Sequence, residues 1–234
     1  MHAFLSFLVG ASLTSFVQFL VDNQGHPFKK RSTCDGCGIP LRWGQLIPIL
    51  SSLCIRKICR VCHYKPRRSY GVTELFGGII FAITALKYTT LCPFLLVGLL
   101  ILVGLHISLN DWRTKTVPVF SLFLLAILGG IWSCCFAQWP IAILFMGALL
   151  FLIRWIGGKV GPEKPLGRGD EILFLICGLW ISVEAIPVFL FMTGCIGVGS
   201  FFLYQRTHPK TRHFPFAPAI LMALWVSLIF FSQH

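Results

Sequence analysis

Asp111 and Asp170 are the residues in this chain best suited to acid–base chemistry. The chain has only 8 Asp and Glu among 234 residues, so each acid can be weighed separately. Asp22, Asp35 and Glu163 fall in polar loops, where solvation accounts for them, and Glu171 and Glu184 read as charges at the ends of an apolar run. Asp111, Asp170 and Glu74 instead stand at the edges of long apolar runs, where an ionisable group is costly and is a functional candidate. Asp170, with Glu171 after it, suits a helix N-terminus, where negative charge is favoured. Asp111 closes an apolar run, the end at which negative charge is disfavoured, and is the more informative of the two. Two facing carboxylates cannot both ionise easily, so their titrations split. The ionised member can then take a proton from water while the protonated one donates to a scissile carbonyl. That is hydrolysis with neither a metal nor a covalent intermediate. The alternative is that these acids only cap helices. Gly167-Arg168-Gly169-Asp170 adds two glycines that permit positive φ and close backbone approach, in an irregular stretch able to hold a substrate backbone.

A second constellation is Cys34-x-x-Cys37 with Cys59-x-x-Cys62, separated by 21 residues. Each pair lies in turn-forming sequence, and two such knuckles close a tetrahedral thiolate site of the zinc-ribbon type. Arg31, Arg56, Lys57 and Arg60 would favour the thiolate forms. A segment of this size buries little core, so a structural zinc has a clear purpose. Disulfides are disfavoured on a cytoplasmic side, and one pair would suffice for redox work. Cys54 has no partner cysteine of its own, and Cys92, Cys134, Cys135, Cys177 and Cys195 lie in or beside apolar runs as small hydrophobes.

The elements that must position these groups are written in the composition. The chain is 56% hydrophobic and 12% charged, with a mean hydropathy of +0.80. That is too little charge to cover a water-soluble globule. Apolar runs long enough or nearly long enough to cross a bilayer as helices occupy 3–21, 72–89, 92–110, 117–136, 140–156, 171–187, 188–204 and 214–231. The first run lacks a positive n-region and a small-residue cleavage site, so it reads as a retained helix. The net charge of +12 sets orientation rather than indicating nucleic acid. Ten of the 20 basic residues lie in 22–71, and the loops after the third, fifth and seventh runs carry most of the others. Eight spans place all four connections on one side, which makes it cytoplasmic, with both termini outside; reading 171–204 as one bent span would put three basic residues outside. The expected fold is therefore an all-α polytopic membrane protein of eight transmembrane helices with a small cytoplasmic zinc-ribbon-like insertion. Its divisions are helix 1 (1–21), the cysteine module (22–71) and a core of helices 2–8 (72–234). Asp111, Asp170 and Glu74 then share one depth at the cytoplasmic face.

Taken together these residues resemble the type IV prepilin peptidases, polytopic members of the GxGD aspartic peptidases. Asp111-Trp112-Arg113-Thr114-Lys115-Thr116-Val117-Pro118 resembles the family's first catalytic motif and Gly167-Arg168-Gly169-Asp170 the second. Tyr70-Gly71-Val72-Thr73-Glu74, Ser15-Phe16, Phe214-Pro215-Phe216-Ala217-Pro218 and the paired cysteines resemble further family stretches, so the likeness runs from the first helix to the last. It implies a plasma-membrane endopeptidase that removes a short basic leader from prepilin-like or competence pseudopilin precursors at the cytoplasmic face. Asp111 and Asp170 would be catalytic, Glu74, Gly167 and Gly169 supporting, and membrane lipids the surroundings of the basic loops. It also implies S-adenosylmethionine as methyl donor where members methylate the new N-terminus, although no other pattern here marks a site for it. Thr14-Ser15-Phe16-Val17-Gln18, Val119 and Ala217 depart from the family pattern; they bear on methylation and leave the aspartates untouched. A transporter or channel subunit using the same acids, a thiol oxidoreductase using the cysteines, and a zinc scaffold without catalysis are the competing readings.

Overall fold

The structure is a computed structural model that describes residues 1–23, 34, 36–40, 59, 61–63, 69–136, 141–160, 167–207 and 214–231. Most of the 22–71 module, including Asp35 and Cys54, lies outside the described residues, as do Glu163 and the basic residues of 208–213. Among the described residues the extended regular elements are helices, and none forms a β-strand. The helices are α1 (His2–Asp22), α2 (Ser69–Lys87), α3 (Leu91–Thr114), α4 (Val119–Cys135), α5 (Ile141–Val160), α6 (Arg168–Cys177), α7 (Ile186–Thr207) and α8 (Ala217–Phe231), with a 3₁₀ turn at Val183–Ala185 before α7. Among the described residues, four segments are long and apolar enough to cross a membrane: His2–Asp22, Tyr70–Lys87, Leu91–Thr114 and Val183–Arg206. Val119–Cys135, Ile141–Ile156 and Ala217–Phe231 are shorter apolar helices. Val119, Phe120, Leu144, Phe151 and Phe230 point outward with at least 72% of their surface exposed, an arrangement suited to lipid rather than water.

The chain forms two compact units, Met1–Thr90 and Leu91–His234. In the first, α1 and α2 run antiparallel, as the pairings Asp22 with Tyr70, Thr14 with Gly77 and Gly10 with Phe81 require. Small residues let the backbones meet, because apolar burial alone drives little helix association in lipid. A Cβ on Gly77 would collide with the Thr14 side chain, and one on Gly78 would come within 2.8 Å of the Phe7 ring. Gly77→Val is therefore expected to lower stability by about 2 kcal/mol. The check is thermal unfolding of the purified protein in detergent, and an unchanged midpoint would disprove the close approach.

In the second unit α3 packs on α4 and α8, α7 packs on α8, and α6 packs on α4, α5 and α8. Trp132 and Trp180 stack at 5.7 Å with both rings fully buried. Gly129 leaves the room Trp180 needs, and Trp180 Nε1 donates to the Leu125 carbonyl at 3.3 Å.

The run 171–187 is not one helix. α6 ends at Cys177, and turns lead through the 3₁₀ segment to α7, which opens at Ile186 with Pro187 in its first turn. Proline is tolerated there because the first-turn N–H has no partner to lose. The break lies where Gly178 backs onto the Ile143 backbone, a Cβ there falling 2.9 Å from Ile143 Cα. It divides 171–204 in two, close to the boundary expected near Pro187.

Candidate active site and four-cysteine centre

α3 continues one turn past its apolar run, so Asp111 sits inside the last turn of a helix that ends at Thr114. Its side chain is 6% exposed. One carboxylate oxygen, Oδ2, accepts the Ala217 backbone N–H at 3.1 Å, and the Phe216 N–H acts on the same carboxylate. Ala217 is the first residue of α8, so an orphan donor at a helix N-terminus is aimed at an anion. Asp170 sits in the first turn of α6, just ahead of the apolar run from 171, with Gly167 as N-cap. Burial pushes its carboxyl up to about 6, and the Asp111 charge adds to the rise. The two acids, 59 residues apart in sequence, are thus brought within electrostatic reach of each other. Glu171 points elsewhere, paired with Arg154 at 3.1 Å.

The glycines serve this site differently from the expectation of positive φ. Gly167 has φ −67°, and among the described glycines only Gly38 is left-handed. Gly169 is needed for proximity: a Cβ there would lie 2.9 Å from Val117 Cγ2, so the turn after α3 rests directly on the head of α6. A Cβ at Gly167 would stand 3.2 Å from Asp170 Oδ2.

One turn below Asp111, His106 Nδ1 meets Ser121 Oγ of α4 at 2.8 Å, and Asn110 Nδ2 donates to the His106 carbonyl at 2.8 Å. This partly buried polar tie between α3 and α4 escaped sequence reasoning. His106 and Ser121 are ordinary polar residues 15 positions apart, and only the fold makes them neighbours. Glu74 belongs to the first unit, where it is 4% exposed and accepts the Ser15 hydroxyl at 2.8 Å.

The four cysteines converge as their spacing predicts. Their sulfurs all lie within 4.8 Å of one another, with Cys34 to Cys62 and Cys37 to Cys59 at 3.6 Å. Sulfurs 2.3 Å from a tetrahedral ion stand about 3.8 Å apart, so the set fits zinc. The two knuckles share one backbone design. Gly38 N–H donates to Cys34 C=O at 2.8 Å and His63 N–H to Cys59 C=O at 2.9 Å, and both donors have positive φ, 71° and 53°. Backbone N–H groups of Cys62 and Val61 lower the Cys59 thiol to about 6, which favours the thiolate that binds metal.

Comparison with known proteins accords with this layout. The bacterial peptidase A24 N-terminal domain matches residues 8–88, and the type IV leader peptidase family matches residues 96–202. The prepilin leader peptidase/N-methyltransferase of Neisseria gonorrhoeae is 31% identical over 217 residues, covering 88% of this chain and 74% of that protein. The enzyme of the same name from Aeromonas salmonicida is 26% identical over 85% of this chain and 71% of its own length. The type 4 prepilin-like proteins leader peptide-processing enzyme of Escherichia coli O78:H11 is 27% identical over 81% of this chain and 72% of its own length. No solved structure matches the chain. With four segments able to cross a bilayer and relatives matched along most of its length, the chain is a membrane protein and an enzyme of the type IV leader peptidase family.

Proposed function

We propose that the protein is an aspartic endopeptidase that cuts the short basic leader from type IV prepilin-like or competence pseudopilin precursors at the cytoplasmic face of the plasma membrane. The observation that carries this reading is the approach of Asp111 from α3 to Asp170 from α6, close enough for one charge to act on the other. In the singly protonated pair, one carboxylate takes a proton from water as its oxygen attacks the scissile carbonyl carbon. The other donates its proton to the carbonyl oxygen. Collapse of the tetrahedral adduct breaks the C–N bond and releases the amine with a proton. Glu74, Gly167 and Gly169 are supporting residues, the glycines through the close approaches that set the head of α6.

Eight crossings, with the shorter helices spanning in company with their neighbours, would place both acids and the cysteine module on the cytoplasmic side. The basic connections support that orientation. Zinc held by Cys34, Cys37, Cys59 and Cys62 would be structural, tying two sequence-distant knuckles together. Membrane lipids surround the helices, and no nucleic-acid role is proposed. The names of the relatives support a second reaction, methylation of the new N-terminus with S-adenosylmethionine as donor.

The test is co-expression with a prepilin-like precursor, scored by appearance of the shortened product. The acid–base pair also fixes the pH response. An acid raised to about 6 holds its proton below that pH and loses it above. Cleavage should therefore fall as pH rises through the pair's upper apparent pKa near 6, by about tenfold per unit. Initial rates in detergent micelles between pH 5 and 8 check this, and a flat profile would exclude the shared proton.

A further inference from the structure

The turn after α3 carries a charge that the two acids leave unexplained. Lys115 has φ 57°, the left-handed region that glycine or asparagine normally fills, and its N–H donates to the Asp111 carbonyl at 3.0 Å. Its side chain folds back over the end of the helix. Nζ donates to the Trp112 carbonyl at 3.2 Å and lies 4.5 Å from the centre of the Tyr204 ring and 5.7 Å from that of Trp112. Those rings meet edge to face at 5.4 Å, and Tyr204 is buried. An unusual backbone conformation and a two-sided aromatic seat thus hold one ammonium group beside Asp111.

The two carboxylates are unequally surrounded. Burial is the largest influence on both; at Asp111 the Ala217 and Phe216 N–H groups and the Lys115 charge oppose it, whereas at Asp170 the Asp111 charge adds to it. The other ionisable groups near the pair do not even this out. Glu171 is paired with Arg154, His106 meets Ser121, Arg113, Arg168 and Arg206 are exposed, and α4 and α8 contain no charged residue.

We propose that Lys115 is a positioning residue that decides which acid carries the proton, keeping Asp111 as the ionised base and leaving Asp170 as the protonated acid. The proposal rests on the aspartic-pair reading above. Water then gives its proton to Asp111 as its oxygen bonds to carbon, and Asp170 protonates the carbonyl oxygen. As the C–N bond breaks, the nitrogen takes the proton from Asp111 and one adduct hydroxyl returns a proton to Asp170. Both acids end as they began.

The experiment measures kcat/KM against pH for the full-length protein in detergent micelles, with a purified prepilin-like precursor as substrate. Lys115→Met should move the acid limb up by about one pH unit, which below the limb is about a tenfold loss. Lys115→Arg should keep the limb in place. Lys115→Gly, which suits the left-handed backbone, should move it as Lys115→Met does and guards against a variant that fails to fold. An acid limb unmoved in both Lys115→Met and Lys115→Gly overturns the proposal, whatever the rate. Asp111→Ala run alongside separates the two ideas, since wild-type cleavage by that variant would end the aspartic-pair reading itself.

Discussion

Asp111→Ala and Asp170→Ala should each reduce precursor cleavage by roughly a thousandfold or more, with the variant proteins accumulating in membranes like the wild type. The magnitude follows from the division of labour. With one carboxylate left, nothing can both accept the water proton and supply a proton to the carbonyl oxygen, and Glu171 is held by Arg154. Both positions tolerate the change structurally. Asp111→Ala removes the acceptor of the buried Ala217 N–H and a partner of the Phe216 N–H, at a cost of roughly 1–3 kcal/mol. Asp170→Ala removes an acid already burdened by burial. Loss of activity with retained folding is the expected signature, read by immunoblot of shortened against full-length precursor. Wild-type processing by either variant would remove the acid pair from the mechanism.

The second large effect concerns metal. The purified protein should carry about one zinc per chain, and Co²⁺ in its place should give the intense absorption of tetrahedral thiolate ligation. Structural zinc contributes about 10–16 kcal/mol in small zinc-finger peptides, so its loss is decisive for a segment with little core. Replacing Cys37 and Cys59 by serine should abolish metal binding and leave the segment between α1 and α2 open to limited proteolysis. A protein purified under reducing, chelator-free conditions without zinc would refute the assignment.

The sequence disclosed these features unevenly, for physical reasons. Apolar runs announced helices along the whole chain because a lipid-facing helix must be apolar over many successive residues. The four cysteines announced their cluster because ligand spacing is local within each knuckle. The break after Cys177 was harder to see. Its causes are largely tertiary, with Gly178 against the Ile143 backbone and Trp180 tied to Leu125, while the run itself, apart from Glu171, Ser182 and Glu184, stays apolar. Asp111 and Asp170 stood out as acids at the edges of apolar runs, but the unequal setting of the two carboxylates did not. The Ala217 N–H and the Tyr204 ring come from residues more than 90 positions beyond Asp111. Of the two freedoms expected of Gly167 and Gly169, close approach is the one the structure uses, and neither has positive φ.

The brevity of α6 has a mechanical result. Ten residues rise about 15 Å, half the depth of a hydrocarbon layer of about 30 Å. Beyond Cys177 the path continues through turns whose peptide groups do not form a continuous helical ladder, and such backbone survives in lipid only under cover of protein. α4, α5 and α8 supply that cover. Sliding α6 sideways into the acyl chains would strip it away, so Asp170 rides on a fixed post.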